Sequence, residues 1–297
     1  MEENKGVTEK RARIVPADAK PPGAPTANQT TATDVDADRF DRQKRVEKWD
    51  QLAVEKQNVL VIGAGALGNE VCKLLFQLGV GNVRIVDFDT VIPANLNRCV
   101  FFTPADAENH VFKADAIAAR AKIDYPATSV TADTRNVDQL EESVFSEASA
   151  VFGCLDNLGA RLHVNAQSYG KAPLFDGGTT GFLGKVQVVQ KPSACLECGM
   201  SKADYQLLWK RYSCVGEVLD LVDPKAPAIA TTTSIVAAMQ VNEWLKHVFG
   251  KNQTDANASG ASTNRQGPTA GKYLHYDGLT QQTEIFNIGK RHKCPVH

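Results

Sequence analysis

The chain has 297 residues, 43% of them hydrophobic and 23% charged, and its 33 basic and 34 acidic side chains give a formal net charge of −1. That balance is typical of a globular protein of one large domain or about two, and it lacks the basic excess that binding to nucleic acids or membrane surfaces requires. The sequence has no run of about 18 apolar residues, and its N-terminus lacks the apolar core of a signal peptide. We therefore expect a cytoplasmic protein with neither a membrane nor a nucleic-acid partner.

The composition divides the chain into one domain and two polar segments. Residues 1–37 are rich in Pro, Ala, Thr, Lys and Asp without apolar periodicity, so we expect a disordered N-terminal tail. Residues 38–297 are expected to form a single domain, interrupted by a flexible loop of small polar residues at about 251–271. Within the domain, apolar strand patterns alternate with helical ones, which predicts a parallel sheet with helices on its faces.

The predicted elements begin with a short β-branched strand at Asn58–Ile62. A helix follows, because Leu67, Val71 and Leu78 recur at helical spacing, and Gly79 ends it. The remaining predicted elements are strands at 83–87, 129–132, 150–154, 173–176 and 185–189, a buried helix near 231–248 that is apolar on most of its circumference, and a final pair of strands at 272–276 and 282–287.

A glycine fingerprint links the first strand to the first helix. Gly63, Gly65 and Gly68 follow the strand directly, and Asp87 lies at the end of the second strand, about 20 residues farther on. Backbone N–H groups and the positive end of a helix can bind a phosphate there, and a carboxylate can accept hydrogen bonds from ribose hydroxyls. This context predicts a nucleotide site, whereas the three glycines alone would fit a tight turn in a buried corner.

The segment after the second strand separates a triphosphate site from a nicotinamide site, which begins with the same three elements. A dehydrogenase needs an apolar slot for nicotinamide, but this chain places Asn95, Asn97 and Arg98 soon after the ribose carboxylate. Lys113 and Asp156 follow farther along. Carboxamides and cations suit a triphosphate, and a carboxylate suits Mg²⁺, which prefers oxygen ligands. Since no G-x-x-x-x-G-K-[ST] sequence occurs, we predict a site for a nucleoside triphosphate and Mg²⁺ without an ordinary P-loop.

Together with two further motifs, these residues resemble the adenylation domain of ubiquitin-like-protein-activating enzymes and their bacterial relatives of the ThiF and MoeB type. The motifs that carry the resemblance are Arg39-Phe-Asp-Arg-Gln43, Asp87-Phe-Asp89, Asn95-Leu-Asn-Arg98, Leu155-Asp-Asn157 and Asp176-Gly-Gly-Thr-Thr-Gly-Phe-Leu-Gly184. The resemblance extends from about residue 36 to the C-terminus. It implies a Rossmann-like sheet and the activation of a carboxylate by ATP.

The resemblance also implies a role for each matching position. The implied cofactor-binding residues are Gly63, Gly65 and Gly68, Asp87 for the ribose, Asp89, Asn95 to orient the phosphates, and Arg98 and Lys113 to bind them. Asp156 would hold Mg²⁺, and Arg42 would reach the ATP of the neighbouring subunit in a homodimer. Taken singly, Arg98 and Lys113 would also fit solvated surface cations, and Asp156 would also fit a cap on the helix beginning at Asn157.

Two pairs of residues far apart in the sequence predict a metal site. Cys195 and Cys198 form a C-x-x-C knuckle, and the chain ends at Cys294 and His297. Joined, the pairs would give closed Cys₃His ligation of a structural zinc ion. The family's second pair is usually C-x-x-C, so His297 departs from its pattern, and His292 is a nearby competitor. A redox pair and metal-free packed thiols remain alternatives, although the strand and helix of a thioredoxin motif are missing.

The combined patterns predict an α/β fold. Its Rossmann-like sheet is mixed but mainly parallel, with helices on both faces, and its C-terminal strands are tied to the rest by the structural zinc site.

Cys214 lies between the first zinc pair and the last buried helix, the interval in which family members receive activated acyl groups. Thiolate is the nucleophilic form, so the neighbouring Lys210 and Arg211 would activate Cys214 if they point toward it. The alternative is a small buried hydrophobe. Three further cysteines are interpreted as packing thiols: Cys72, Cys99 and Cys154.

The predicted reaction is ATP-dependent adenylation of the C-terminal glycine carboxylate of a ubiquitin-like protein. Arg98, Lys113, Arg42 and Mg²⁺ on Asp156 would position the reactants and neutralise charge. Cys214 would then form a thioester for transfer to a conjugating-enzyme partner. Alternatives are a sulfur-carrier-protein adenylyltransferase without an obligatory thioester, a non-catalytic subunit of a heterodimeric activating enzyme, and a nicotinamide oxidoreductase.

Overall fold

Residues 38–201, 203–205, 227–254 and 268–297 are described by the structure, a computed structural model, with the side chains of 251–254 excepted. Residues 43–297 belong to one compact body, and residues 1–42 form a separate unit of which 38–42 are described. Three predicted features lie outside the described residues: the whole N-terminal tail, Cys214 with its neighbouring cations, and residues 255–267 of the loop.

Strands and helices alternate through most of the described chain. The strands are β1 Asn58–Ile62, β2 Asn82–Val86, β3 Ser129–Asp133, β4 Ala150–Gly153, β5 Leu174–Thr180, β6 Leu183–Val189, β7 Lys272–Asp277 and β8 Gln282–Asn287. The helices are α1 Asp41–Lys44, α2 Gln51–Glu55, α3 Ala66–Leu78, α4 Pro104–Glu108, α5 Lys113–Asp124, α6 Glu142–Ser146, α7 Leu158–Ser168 and α8 Ala230–Thr254.

Within the described residues, the eight strands form one sheet in the order β3-β2-β1-β4-β5-β6-β7-β8. Strands β1 to β5 pair in parallel, whereas β6, β7 and β8 continue the sheet in antiparallel pairs. The strand order reverses between β1 and β4, which is the switch point where sheets of this class open a crevice at their carboxyl ends. The predicted mixed, mainly parallel α/β sheet is confirmed.

The two faces of the sheet carry separate apolar cores. Val59 and Val61 of β1 pack into a cluster with α3, α5 and α8, while Leu60 and Ile62 pack into a second cluster with α6 and α7. Successive strand residues point to opposite faces, so a β1 buried on both sides needs helices on both sides. This arrangement confirms the predicted layers.

The predicted buried helix is α8, which is longer than its apolar pattern indicated. Val236, Ala237 and Trp244 have no exposed surface, and the helix packs on α3 and on β5 and β6. It continues to Thr254 and thus includes the first residues of the predicted polar loop. Burial of apolar side chains ends earlier than the helical backbone, so periodicity underestimates its length.

Strand β5 extends four residues beyond the predicted end at Asp176. These residues, Gly177 to Thr180, carry no large apolar side chain, and their backbone is held by antiparallel pairing with β6 up to Thr180 and Leu183. Pairing between backbones can extend a strand that side-chain patterning does not reveal.

In the described part of the chain, no helix has the length and apolar character needed to span a membrane.

Candidate nucleotide cavity and metal cluster

A cavity of about 1000 Å³ lies at the carboxyl ends of the parallel strands, beside the switch point. The predicted cofactor-binding residues that line it are Gly63, Gly65, Asp87, Asp89, Asn95, Arg98, Lys113 and Asp156. They come from the fingerprint, from the segment after β2, from α5 and from the segment after β4. The fold therefore gathers side chains from distant parts of the sequence around one space large enough for a nucleotide.

Each glycine of the fingerprint is required for a different physical reason. Gly63 has φ +96°, in the left-handed region, and a Cβ there would lie 2.6 Å from the carbonyl oxygen of Cys154. A Cβ on Gly68 would lie 1.9 Å from the carbonyl oxygen of Gly63, so Gly68 permits close packing of α3 on the turn. A Cβ on Gly65 would meet nothing within 4 Å, which leaves the start of α3 open toward the cavity. Gly68 does not line the cavity itself.

Asp87 holds the turn between β1 and α3. Its Oδ2 accepts a hydrogen bond from the backbone N–H of Ala64 at 2.6 Å, and its Oδ1 accepts one from the N–H of Asp89 at 2.8 Å. Burial raises the pKa of Asp87, while the charge of Lys113 and these two N–H groups act in the opposite direction. The carboxylate is thus fixed at the cavity wall, where the prediction places the ribose.

Lys113 and Asp89 form an ion pair within the cavity wall. The Lys113 ammonium lies 2.6 Å from Asp89 Oδ2, and the Lys113 side chain is only 7% exposed. The backbone N–H of Lys113 also donates to the Asp89 carbonyl at 2.9 Å, which anchors the start of α5. Lys113 is therefore not a solvated surface cation, and a phosphate beside it would share the ammonium with Asp89.

Asn95 and Arg98 both make local hydrogen bonds at the short 3₁₀ helix Pro93–Asn95. Asn95 is buried, and its Oδ1 accepts from the backbone N–H of Ile92 at 3.1 Å. The Arg98 guanidinium donates to the carbonyl of Ala94 and, at 2.8 Å, to Oδ1 of Asn97. Because guanidinium has five N–H donors, these bonds leave Arg98 able to contact an anion in the cavity that it lines.

Asp156 is exposed and lies between β4 and α7. The alternative that Asp156 caps α7 is wrong, because the N-cap is Asn157, whose Oδ1 accepts from the N–H of Ala160 at 2.8 Å. Among the described residues, Asp156 has no ion-pair partner. The Asp156 carboxylate lines the cavity, and among the described residues it neither caps a helix nor forms an ion pair.

Several cavity residues escaped the sequence analysis. They are Arg135, Asn136 and Asp138 after β3, Arg161 and His163 on α7, Lys185 on β6, and Tyr273 and His275 on β7. The residues after β3 could have been found, since the carboxyl ends of adjacent parallel strands meet at one edge. The others carry no local motif: α7 brings Arg161 and His163 to the cavity, and the pairing of β5, β6 and β7 brings the remaining three.

Two buried carboxylates, those of Asp133 and Asp176, form ion pairs with arginines around these additional residues. Asp133 at the end of β3 accepts hydrogen bonds from Arg135 and Arg84. These bonds, chiefly those from Arg135, hold the pKa of Asp133 well below its usual range although the side chain is buried. Arg161 donates to Asp176, with Nε 3.1 Å from Oδ1, and both side chains are almost completely buried. A buried pair of this kind requires good geometry to compensate for its desolvation.

The four predicted metal ligands lie together, with every pair of ligand atoms within 4.8 Å. Sγ of Cys195 is 3.8 Å from Sγ of Cys198 and 3.5 Å from Sγ of Cys294, and Sγ of Cys198 is 3.2 Å from Nε2 of His297. These distances are far longer than the S–S bond of a disulfide, about 2.05 Å, and match the edges of a tetrahedron around one ion. His292 does not belong to the cluster.

The surroundings of the cluster suit a metal ion. Burial raises the pKa of Cys195 to about 12, so a thiolate at this position needs a nearby positive charge. The pKa of Cys198 is lowered because hydrogen bonds, including that from the N–H of Arg291 at 3.4 Å, outweigh its burial. The His297 ring stacks on Tyr169 with 4.8 Å between centroids, which orients the last residue of the chain. The donor set and its packing fit zinc.

The remaining predicted residues fall into two groups. Cys72, Cys99 and Cys154 are buried, and burial raises the pKa of each thiol, to about 11 for Cys99, as expected for packing thiols. Cys214 lies outside the described residues, and Arg42 belongs to the separate N-terminal unit, so the roles of both stay predictions.

The sequence was compared with protein families and with known proteins. A family model described as ThiF family matches residues 40–296. The chain is 30% identical over 205 residues to SUMO-activating enzyme subunit 2 of Dictyostelium discoideum, covering 67% of this chain and 27% of that protein. It is 32% identical over 158 residues to the Nedd8-activating enzyme E1 catalytic subunit of Drosophila melanogaster, covering 48% of this chain and 35% of that protein. The chain therefore spans about a third or less of the length of these relatives.

Solved structures of E. coli MccB share the fold. MccB with ATP superposes with a TM-score of 0.62 at 19% identity, covering 83% of this chain and 68% of that chain. MccB with AMPCPP and MccA gives a TM-score of 0.67 at 18% identity, covering 88% and 74%. At this identity the likeness concerns the fold.

Proposed function

The chain belongs to the ThiF family, and on that premise we propose that it is an ATP-dependent adenylyltransferase that activates the C-terminal glycine carboxylate of a ubiquitin-like protein. The observation that carries the proposal is the single cavity into which Gly65, Asp87, Arg98, Lys113 and Asp156 project from four parts of the chain. Relatives named as SUMO- and Nedd8-activating enzymes support the choice of substrate class.

The cavity offers contacts for the ribose and for the phosphates of ATP. The open start of α3 at Gly65 presents backbone N–H groups and the positive helix end to a phosphate. Asp87, fixed by Ala64 and Asp89, accepts from ribose hydroxyls. Arg98 and Lys113 neutralise the phosphate charge in a partly water-excluded space, where such contacts are strongest.

Asp156 is the residue we assign to magnesium. Its carboxylate lines the cavity, is exposed, and is not used to cap α7. Mg²⁺ bound there would shield the charge of the phosphates from the incoming carboxylate. Asn95, buried beside Arg98, orients the phosphate end of the nucleotide.

Adenylation converts a poor acyl donor into a reactive one. A carboxylate oxygen of the substrate attacks the α-phosphorus of ATP, the bond from that phosphorus to the bridging oxygen breaks, and pyrophosphate leaves. The protein supplies positioning and charge neutralisation, which suffice for a reaction whose atoms all come from the two substrates. In the second step, the Cys214 thiolate attacks the acyl carbon and AMP leaves, which yields a thioester for a conjugating-enzyme partner.

The rest of the proposal concerns assembly. Zinc bound by Cys195, Cys198, Cys294 and His297 would be structural, because four protein ligands leave no open position for catalysis. Arg42 would complete the ATP site of a second copy in a homodimer. We place the protein in the cytoplasm, where ATP and carrier proteins meet.

A thioester assay tests the second step. The full chain is incubated with MgATP and a panel of ubiquitin-like proteins ending in Gly-Gly, and samples are run on non-reducing gels. We expect an adduct that dithiothreitol removes, present in the wild type and in the control Cys99→Ala, and absent in Cys214→Ala. Pyrophosphate exchange that depends on the carrier but gives no adduct would overturn the thioester step and favour a sulfur-carrier adenylyltransferase.

Complementation tests the contribution of Arg42 in trans. Arg42→Ala and Asp156→Ala chains should each be inactive alone. A mixture should recover part of the exchange activity, because one kind of site in a hybrid dimer contains both intact residues. Failure of the mixture to recover activity would contradict an Arg42 that acts on the neighbouring subunit.

A further inference from the structure

The cavity extends away from the fingerprint across the antiparallel end of the sheet. Gly178 of β5, Lys185 of β6 and His275 of β7 are directly opposite one another in register, so their side chains share one face. All three line the cavity, as does Arg161 from α7. None of these residues has a role in the binding of ATP proposed above.

Gly178 lies close to two cationic side chains, those of Lys185 and Arg161. A Cβ at this position would lie 3.0 Å from Cε of Lys185 and 3.1 Å from Nη1 of Arg161. Any larger residue would push the two side chains apart. Glycine thus leaves a small space next to the side chains of Lys185 and Arg161.

Among the described residues, two carboxylates act on Lys185, and neither forms an ion pair with it. Arg161 binds Asp176 through Nε and Nη2, which leaves Nη1 beside Gly178. Lys185 has no ion pair or hydrogen bond within the described residues. Of these carboxylates in the described part of the chain, Asp176 is already bound to Arg161, and Asp204 accepts from the N–H and hydroxyl of Ser201 at 2.7 and 2.8 Å.

The partial burial of Lys185 without an ion pair among the described residues has an energetic cost. Burial lowers the pKa of Lys185, and the nearby charge of Arg161 lowers it further. An anion held between Lys185 and Arg161 would remove that cost and accept hydrogen bonds from both, each assisted by charge. The surrounding groups are thus arranged for a ligand that carries a negative charge.

We propose that Arg161 and Lys185, on either side of Gly178, bind the carboxylate of an Asp or Glu side chain in the C-terminal tail of the acyl substrate. The proposal rests on the proposed function, since it requires such a tail to lie along the cavity. It makes Lys185 a residue that determines which carrier tails are accepted.

A side-chain carboxylate fits this site better than the reacting one. The reacting carboxylate loses its charge when the adenylate forms, so a cationic clamp on it would stabilise the substrate more than the product and oppose the reaction. A carboxylate that is not consumed keeps its contacts through every step. It therefore contributes to recognition without slowing the chemistry.

Binding of synthetic tails provides the test. The full-length protein is titrated into fluorescein-labelled heptapeptides that end in Gly-Gly and carry Glu, or Gln as the matched neutral residue, at the third, fourth or fifth position from the C-terminus. At one position we expect the Glu peptide to bind about 10-fold more tightly or better, as charge-assisted hydrogen bonds predict. Lys185→Met should abolish the preference, and Lys122→Met, which removes an exposed cation of α5, should leave it unchanged.

Further arms identify the source of the anion. Peptides amidated at the C-terminus should keep the preference for Glu; its loss would show that the terminal carboxylate is the ligand and overturn the proposal. ATP should bind Lys185→Met as it binds the wild type, and a weaker affinity would reassign Lys185 to a phosphate. Lys185→Glu, checked for an unchanged melting temperature, should prefer peptides with Lys at the position where the wild type prefers Glu.

The proposal fails if no position shows a preference, if no peptide binds, or if Lys185→Met keeps the preference. Pyrophosphate exchange with the same peptides separates this failure from failure of the proposed function. Exchange without selection for acidic tails would leave adenylation standing and contradict the anion site. Lys185-dependent binding of acidic tails without exchange by any peptide or carrier would support the anion site and contradict the proposed adenylation.

Discussion

The parallel and antiparallel ends of the sheet are stabilised in different ways. Strands β1 and β4 are buried on both faces between two apolar clusters, and the nucleotide cavity opens beside them. At the other end, every residue of β8 is exposed, and β7 contributes Leu274 and Tyr276 to the core. The segment after β8 then returns to the Cys195 knuckle, where Cys195 and Cys294 meet across 99 residues of sequence.

The difference shows how one chain can use two sources of stability. Apolar burial supplies most of the free energy at the parallel end, at about 25 cal/mol per Å² removed from water. Strand β8 buries little, so a metal ion held by the Cys195 knuckle, Cys294 and His297 would stabilise the part of the chain that the core does not reach. The cavity lies against both ends, since Tyr273 and His275 of β7 help to line it. Removal of the metal should therefore affect the cavity as well as the strands.

Removal of the metal should have the largest effect. We expect about one zinc per chain in the wild type and almost none in Cys195→Ser, with a loss of stability on the order of 5 kcal/mol, less than in small zinc domains because the main core remains. Elemental analysis and thermal unfolding measure both quantities. Cys99→Ala, which alters a buried thiol outside the cluster, should keep its zinc. A metal-free protein with undiminished stability would contradict the assignment.

Replacement of the proposed magnesium ligand should act on activity alone. Asp156→Ala should reduce carrier-dependent ATP–pyrophosphate exchange by about 100-fold or more, as expected for loss of a charged group that neutralises the transition state. Because Asp156 is exposed and caps no helix, the melting temperature should stay within about 2 °C of the wild type. Unchanged exchange would refute the role of Asp156 in holding Mg²⁺.

The fingerprint glycines provide a matched pair of substitutions. Gly68→Ala places a methyl group 1.9 Å from a backbone oxygen and should cost about 2–3 kcal/mol of folding stability. Gly65→Ala meets no neighbour and should cost at most about 1 kcal/mol, yet weaken ATP binding because its methyl group faces the cavity. Urea unfolding and nucleotide titration of both variants measure these effects. Equal losses of stability would show that the two glycines do not have separate roles.

The smallest effect concerns pH. The pKa of Asp133 is lowered in the folded chain, chiefly by its hydrogen bonds to Arg135. The stability that this carboxylate adds to the fold is therefore fully present above its pKa in the unfolded chain, near 4, and is lost as the pH falls. Asp133→Asn should therefore be less stable than the wild type by about 1 kcal/mol at pH 7, because Arg135 is partly exposed and screened. The difference should shrink toward pH 2, which urea unfolding across pH can follow. A constant difference at every pH would contradict this linkage.

Sequence reasoning located those parts of the site that lie close together along the chain or at the ends of strands. Gly63, Gly65 and Asp87 were found because a strand, a turn and a helix must join at fixed spacing. Lys113 was placed in the cavity, but its ion pair with Asp89 was not foreseen. Arg161 and Lys185 were missed because their neighbours in the cavity come from α7, β5 and β6, and no spacing rule relates those elements.

The sequence by itself determined the α/β layers, the position of the glycine turn and the three cysteines of the candidate metal site, because these follow from local periodicity and from the chemistry of residue types. The tertiary structure alone decided that β5 continues past Asp176, that Asn157 rather than Asp156 caps α7, and that His297 rather than His292 joins the cysteines. It also decided that the side chains of Arg161 and Lys185 meet beside Gly178. The reason is physical: local propensities act within a few residues, whereas register, ion pairing and metal ligation depend on distances between segments that meet only after folding.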